Sequence, residues 1–340
     1  MNDNMPKVTF GIVNCNRLHY LKSCLESLLF CTEDYSNKEI IIVDNASIEE
    51  GTEEYLAEKE SQGFKVIRQP ERDPSNEFAK ALNIICREAT GEIIAPLQGD
   101  MQFILKEGWL EKYVELFLAN DQNIGCITLD AQRRITNNSH QYSNVLKIKD
   151  FGFVADGNRP AASGAADVMY RKSVLEMMYP WSEVNSAHEG GGDSETKMLE
   201  KINKLTKDNN LNLFTIMPIF PPAVAIYTDA RGTNARVRGN RRYGDYWPPK
   251  QDFRYYEILN YSSVIKKIEG LTIPVAIEDV AIGIDFQVSK DTTGNWLKNS
   301  IDPDTAAPGD YVELGYSEPK ISKVLNVQEE YLDSWLEDDE

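Results

Sequence analysis

Short apolar runs alternate with amphipathic stretches through the first 130 residues. VTFGIV (8–13) is apolar at almost every position, as suits a buried strand. Leu18, Leu21, Leu25 and Leu28 follow at spacings of three and four, one face of a helix. EIIIVD (39–44) predicts a second buried strand, then come the turn residues NAS and a polar helix from about Thr52. FKVIRQ reads as a third strand, 79–89 as a helix ended by Gly91, and EIIAPL (92–97) as a fourth strand. Trp109, Tyr113, Leu116 and Phe117 mark another amphipathic helix before a strand near 124–129. The alternation predicts an α/β fold, a parallel sheet with helices on both faces. Ligands in such sheets bind beyond the carboxyl ends of the strands.

After residue 130 the alternation weakens. Loops are expected near Asn137 and Asn158, a helix from Ser194 to about Leu205, and a Pro-rich stretch at 218–222. This second region is expected to cover the open edge of the sheet. The last 90 or so residues mix short strand-like runs (TIPVAI, AIGIDF) with Gly, Pro and Asp turns and end in the acidic EEYLDSWLEDDE. They carry no pattern that assigns a chemistry.

Composition narrows the class. A chain of 340 residues can bury one large core, with or without a small companion. Hydrophobic residues at 41% and aromatics at 10% are those of a folded globular protein. A net charge of -18 argues against nucleic acid as a partner, because wrapping a phosphate backbone needs a broad basic face. Cys15, Cys24, Cys31, Cys86 and Cys126 form neither C-x-x-C pairs nor a disulfide framework, and read as small buried groups in a reducing compartment. MNDNMPKVTF lacks the basic start and apolar run of a leader, and no apolar stretch is long enough to span a bilayer. The expected location is cytoplasmic, the cytosol of a cell or host.

Polar residues collect at three expected strand ends: 14–17 after the first strand, Asp44, Asn45 and Ser47 after the second, and LQGDMQF after the fourth. A carboxylate and an amide fixed at neighbouring strand ends can hydrogen-bond a base edge and a ribose. Turn formation accounts for Asp and Asn at such corners equally well. Asp100 stands where a carboxylate could coordinate Mg2+ or Mn2+ with phosphates and water completing the shell, or simply in a Gly-containing turn.

In order and spacing, VTFGIVNCNRLHYLKSCLESLL, EIIIVDNAS, NEFAKALN, GEIIAPLQGDMQF and GWLE resemble the inverting family 2 glycosyltransferases of GT-A fold, over about residues 7–205. The resemblance implies a GT-A-like (Rossmann-like) sheet binding a nucleotide-sugar donor, a UDP-sugar being the common case, and a glycan or other hydroxyl acceptor. Asn14, Asp44 and Asn45 match positions that hold the nucleotide, with Asn45 in place of a frequent Asp, and Asn16 joins the donor-binding set. Lys80 of NEFAKALN joins this donor-binding set. The family's D-x-D metal motif falls on Gln98, Gly99 and Asp100, so only the last carboxylate, the metal ligand, is retained. Mn2+ or Mg2+ dependence is implied, with weaker metal binding until the diphosphate arrives.

The resemblance also implies a catalytic base some 90 residues after the metal motif. AHEGGGDSETKMLEKI puts Asp193 there, with Glu189 and Glu195 as substitutes. Inverting transfer needs a base to take the acceptor hydroxyl's proton as its oxygen attacks the anomeric carbon. Asp193 would also serve as an N-cap for the helix that follows. GAADVMYRKSVL resembles the segment preceding the acceptor site, which brings in Asp167. TDARGTNARVRGNRRYGDYW concentrates Arg231, Arg236, Arg238, Arg241 and Arg242. These suit a loop closing over a diphosphate, with Arg231 and Arg238 as donor-binding candidates, or a solvated charge run. His19, His140 and His188 form no triad with a nucleophile. The expected organisation is a transferase domain over 1–248, with a nucleotide-binding half (1–130) and an acceptor half (131–248), and a C-terminal appendage over 249–340. A sugar-nucleotide nucleotidyltransferase would carry a Gly-rich loop after the first strand, which VNCNRLHY lacks. A catalytically inactive scaffold of the same fold is the other alternative, and Gln98 gives it weight.

Overall fold

The computed structural model describes residues 5–119, 124–130, 145–148, 151–156, 167–183, 194–208, 213–220, 223–228 and 258–261, with two short segments at 297–298 and 312–313. Its first half runs β1 (Val8–Asn14), α1 (Leu18–Cys31), β2 (Lys38–Asp44), α2 (Thr52–Ser61), β3 (Lys65–Arg68), α3 (Glu77–Glu88) and β4 (Ile93–Gln98). Then come β5 (Met101–Phe103), β6 (Leu105–Lys106), α4 (Trp109–Ala119) and β7 (Ile124–Thr128). The second half contributes β8 (Val145–Ile148), β9 (Phe151–Asp156), β10 (Val168–Arg171), α5 (Lys172–Met178), α6 (Ser194–Asp208), β11 (Phe214–Phe220), β12 (Ala225–Tyr227) and β13 (Leu259–Asn260). The expected elements of the first half are present to within two or three residues at their ends, the ordinary scatter of element boundaries.

Nine strands form the main sheet in the order β3-β2-β1-β4-β10-β7-β11-β9-β8. The block β3-β2-β1-β4 is parallel, as expected. Beyond it the sheet departs from the all-parallel expectation: β10 runs antiparallel to both β4 and β7, and β9 antiparallel to β11. The sheet is mixed because β10 comes from the second half of the chain and enters between two first-half strands. The Pro-rich stretch also turned out to be strand as far as Phe220. β11 pairs with β7 only through Ile216, so Pro218, which has no amide hydrogen, lies beyond that ladder and faces β9 at an irregular register.

Alternate residues of each strand feed two cores. Val8, Phe10 and Ile12 of β1 join Ile40, Ile42, Ile93, Ala95 and Leu97 under α1 and α4. On the other face Val13, Ile41, Val43 and Ile94 pack against Leu82 and Ile85 of α3 and against α5 and α6. The period of two in the strands therefore puts helices on both faces. Gly11 marks the closest approach: a Cβ there would lie 2.3 Å from Ile85 Cγ2. Trp109, fully buried, stacks on Phe103 and donates Nε1–H to the Cys31 carbonyl at 2.9 Å, tying α4 to the end of α1. All five cysteines are free thiols. Among the described residues no helix is long and apolar enough to cross a membrane.

Candidate active site

Three parallel strands end level with one another. Asn14 at the end of β1 lies opposite Asp44 of β2, and Val13 lies opposite Gln98 of β4. Asp167, just before β10, bridges Leu97, so a further carboxylate reaches the same edge from a strand running the other way.

The first two strand ends are tied by a buried network. Asn14 Nδ2 donates to Asp44 Oδ1 at 2.8 Å and to Ser47 Oγ at 3.3 Å. Asp44 also accepts the Ser47 amide at 2.9 Å on Oδ2 and the Ser47 hydroxyl at 2.6 Å on Oδ1. Asp44 is therefore a corner-forming carboxylate as well as a ligand candidate, with acceptor capacity left on Oδ2. Asn45, also buried, accepts a hydrogen bond from Gln69 Nε2 at Oδ1.

Asn16 has a different part. It is fully buried with φ +47°, and its Oδ1 accepts the amides of Ile48 at 2.6 Å and Glu49 at 3.1 Å. Asn tolerates the left-handed region that this corner needs, so Asn16 holds the 45–49 loop against the first strand end. Ala46 enters the same region at φ +50°, at a cost of about 1 kcal/mol. Lys80 Nζ, on the partly exposed side of α3, donates to Asp73 Oδ2 at 2.6 Å, and that bond raises its pKa. Its charge is thus bound to the 69–76 loop.

The third strand end carries the shortened motif. Gly99 sits so close to β1 that a Cβ would lie 3.1 Å from the Val13 carbonyl and 3.7 Å from Asn14 Oδ1. Asp100 is 6% exposed, and its backbone carbonyl accepts both the amide and the hydroxyl of Thr228, each at 2.8 Å. Its Oδ2 pairs with Arg17 Nη1 at 3.0 Å, while Oδ1 is buried with no hydrogen-bond partner. Gln98 is half-buried beside it. Among the described residues no three His, Cys, Asp or Glu side chains cluster as a ready-made metal site. Asp100 with its orphaned oxygen fits a cation held jointly with a ligand's phosphates, rather than one held by protein alone.

Asn14, Asp44, Asn45, Gln98, Gly99 and Asp100 thus line one end of the sheet, whereas Asp193, Glu189, Arg231, Arg236, Arg238, Arg241 and Arg242 lie outside the described residues. Two cations sharpen the picture drawn from sequence. Arg17 stands in the first polar cluster, but its pairing with Asp100, on another strand end, leaves no mark in the sequence. Arg72 went unnoticed in QPERDP. It makes a two-bond pair with the buried Glu77, at 2.9 and 3.1 Å. Burial, reinforced by Glu77, pushes the neighbouring Cys15 thiol up to about 12, so it stays neutral.

Residues 9–177, about half of the chain, match the family described as Glycosyl transferase family 2. Over 125 residues the chain is 30% identical to the uncharacterized protein y4gI of Sinorhizobium fredii (strain NBRC 101917 / NGR234). That alignment spans 37% of this chain and only 13% of the relative. Solved structures of related shape include the mannosyltransferase PcManGT from Pyrobaculum calidifontis in complex with GDP-Man and Mn2+, with a TM-score of 0.44, 18% identity, and 63% of this chain and 57% of that one covered. S. aureus TarS 1–349 in complex with UDP-GlcNAc gives 0.46 at 14% identity, with 73% and 63% covered. GalNAc-T7 with UDP, GalNAc and Mn2+ gives 0.45 at 15% identity, with 63% and 43% covered. These likenesses are too distant to bear on the site. The family match falls on the strands and strand ends just described, and residues 9–177 are accordingly a glycosyl transferase family 2 domain.

Proposed function

We propose that this chain transfers a sugar from a nucleoside diphosphate donor, a UDP-sugar in the first instance, to an acceptor hydroxyl with inversion at the anomeric carbon. The observation that carries the reading is Asp100: a buried carboxylate with one oxygen lacking a hydrogen bond, two residues past Gln98 at the carboxyl edge of the parallel strands where Asn14 and Asp44 also stand. A buried acceptor left unpaired is costly, and a cation with its diphosphate satisfies it. Asp44 and Asn45 take the nucleoside, Asn14 braces Asp44, and Asn16 fixes the loop that carries them. Asp100, with Gln98 as a neutral neighbour, would hold Mn2+ or Mg2+, which when bound offsets the charge of the departing diphosphate.

Asp193 serves as the base that takes the proton of the acceptor hydroxyl, and Asp167 contacts the acceptor. Arg231 and Arg238 bind diphosphate oxygens. Lys80 reaches the donor only by leaving Asp73. The division into a transferase domain over 1–248 and an appendage over 249–340, and a reducing cytosolic location matching five free thiols, belong to the same proposal.

Gln98 favours one other reading, an inactive member of the fold that binds without turnover. A single assay separates the two. Purified protein incubated with Mn2+ and a panel of UDP- and GDP-sugars releases nucleoside diphosphate, by slow donor hydrolysis even without acceptor, if the chain is a transferase. Binding of a sugar nucleotide with no release, with or without candidate acceptors, would leave the scaffold reading standing.

A further inference from the structure

Arg17 puts a positive charge where the cation's charge is required. Its Nη1 lies 3.0 Å from Asp100 Oδ2, with side chains 19% and 8% exposed, so the pair is largely shielded from water. The guanidinium also rests 4.2 Å above the centre of the Tyr20 ring, on the first turn of α1. Arg17 is the residue just before that helix, at the end of the short loop 15–17 that follows β1.

Charge balance gives this arrangement a consequence. Gln98 is neutral and Asp100 is the acidic residue of the motif, so with Arg17 bonded to it the three side chains sum to zero. A bare divalent cation approaching Asp100 Oδ1 gains one carboxylate and meets a guanidinium already attached to it. The guanidinium lies farther from that cation than the carboxylate oxygen does, so its repulsion offsets part of the attraction and weakens the binding of free metal. A nucleoside diphosphate changes both sides of the balance. Its oxygens add the negative charge that the motif lacks, and a guanidinium binds phosphate oxygens as readily as carboxylate ones.

Resting on the nucleotide-donor reading above, we propose that Arg17 is a positioning residue that keeps Asp100 closed to free metal and releases it when the diphosphate arrives. Arg17 exchanges the carboxylate oxygen for a phosphate oxygen, and Asp100 is then available to the cation. Metal and nucleotide therefore bind as a unit, and Arg17 adds a cationic contact to the diphosphate that does not depend on the metal.

The test is a set of calorimetric titrations of the full chain. Wild type titrated with MnCl2 alone should bind weakly, and its Mn2+ affinity should rise about tenfold or more in the presence of UDP or GDP. R17Q should bind MnCl2 alone about tenfold or more tightly than wild type, because the opposing charge is gone while Asp100 remains. R17K should stay near wild type. With EDTA present, R17Q should bind UDP or GDP about tenfold more weakly than wild type. A purely structural ion pair predicts no gain in free-metal affinity on its removal. R17Q binding MnCl2 no more tightly than wild type would overturn the inference alone. Wild type binding Mn2+ equally with and without nucleotide would do the same, and it requires no variant to fold. Failure of wild type to bind UDP or GDP under any metal condition would overturn this inference together with the donor reading.

Discussion

Replacing Asn83 with Ala should unfasten the second half of the chain from α3, by an amount the contacts define. Asn83 is 4% exposed, and its Nδ2 donates to the Trp181 carbonyl at 2.9 Å and to Glu183 Oε1 at 2.7 Å. Its Oδ1 accepts the Trp181 amide at 2.7 Å, so one side chain satisfies both backbone groups of a residue that is itself 2% exposed. Ala strands that amide and carbonyl, each worth about 1–3 kcal/mol when buried and unpaired. Glu183 is exposed and recovers its bond from water, so it adds little. A water entering the vacated volume would return part of the loss, which puts the net at about 2–4 kcal/mol. Urea denaturation followed by fluorescence measures this as a lower midpoint at unchanged slope. Asn83→Asp should be at least as damaging at neutral pH, since it turns a carboxylate oxygen towards the Trp181 carbonyl and Glu183. Repulsion raises the folded pKa of the introduced carboxyl above its unfolded value, so that variant should regain stability as the pH falls through that range. A loss below about 0.5 kcal/mol for Asn83→Ala, the range of an ordinary surface change, would refute the argument.

Gly11→Ala should cost about 1–3 kcal/mol by overpacking, because the added methyl would sit within 2.8 Å of three atoms of Ile85. Ile85→Val in the same chain should recover part of that loss, and strictly additive urea midpoints would count against the contact. Asp193→Asn should leave the melting temperature nearly unchanged, since Asn caps helices about as well as Asp, while transfer collapses. Retained transfer, measured as nucleoside diphosphate released in the presence of an acceptor, would remove Asp193 from the mechanism.

The parallel block was legible because burial on both faces leaves a signature. VTFGIV, EIIIVD and EIIAPL are apolar nearly throughout, and the helices between them carry spacings of three and four. The same alternation puts Asn14, Asp44 and Asp100 at strand ends, the family resemblance over 7–205 gives them their roles, and the registers set the first two of them side by side. What escaped was long-range or local in ways that pattern does not encode. VMYR is a four-residue strand whose neighbours lie about 40 and 70 residues earlier, and nothing in it specifies direction. Asn16 has the same residue type as a ligand would have, yet its positive φ and its two amide bonds to 48 and 49 make it a fastener. The Arg17–Asp100 pair joins positions 83 residues apart and exists only once both loops have folded.

The antiparallel entry of β10 between β4 and β7 has a bearing on how this protein is made. β4 is synthesised some 70 residues before the strand that lines its outer flank, so a ribosome-bound chain exposes an open row of amides and carbonyls until Arg171 has emerged. A fragment cut near residue 130 would keep that flank open permanently and tend to associate through it. The shortest autonomous version of this fold therefore has to extend past β10, however self-sufficient its nucleotide-facing strands look.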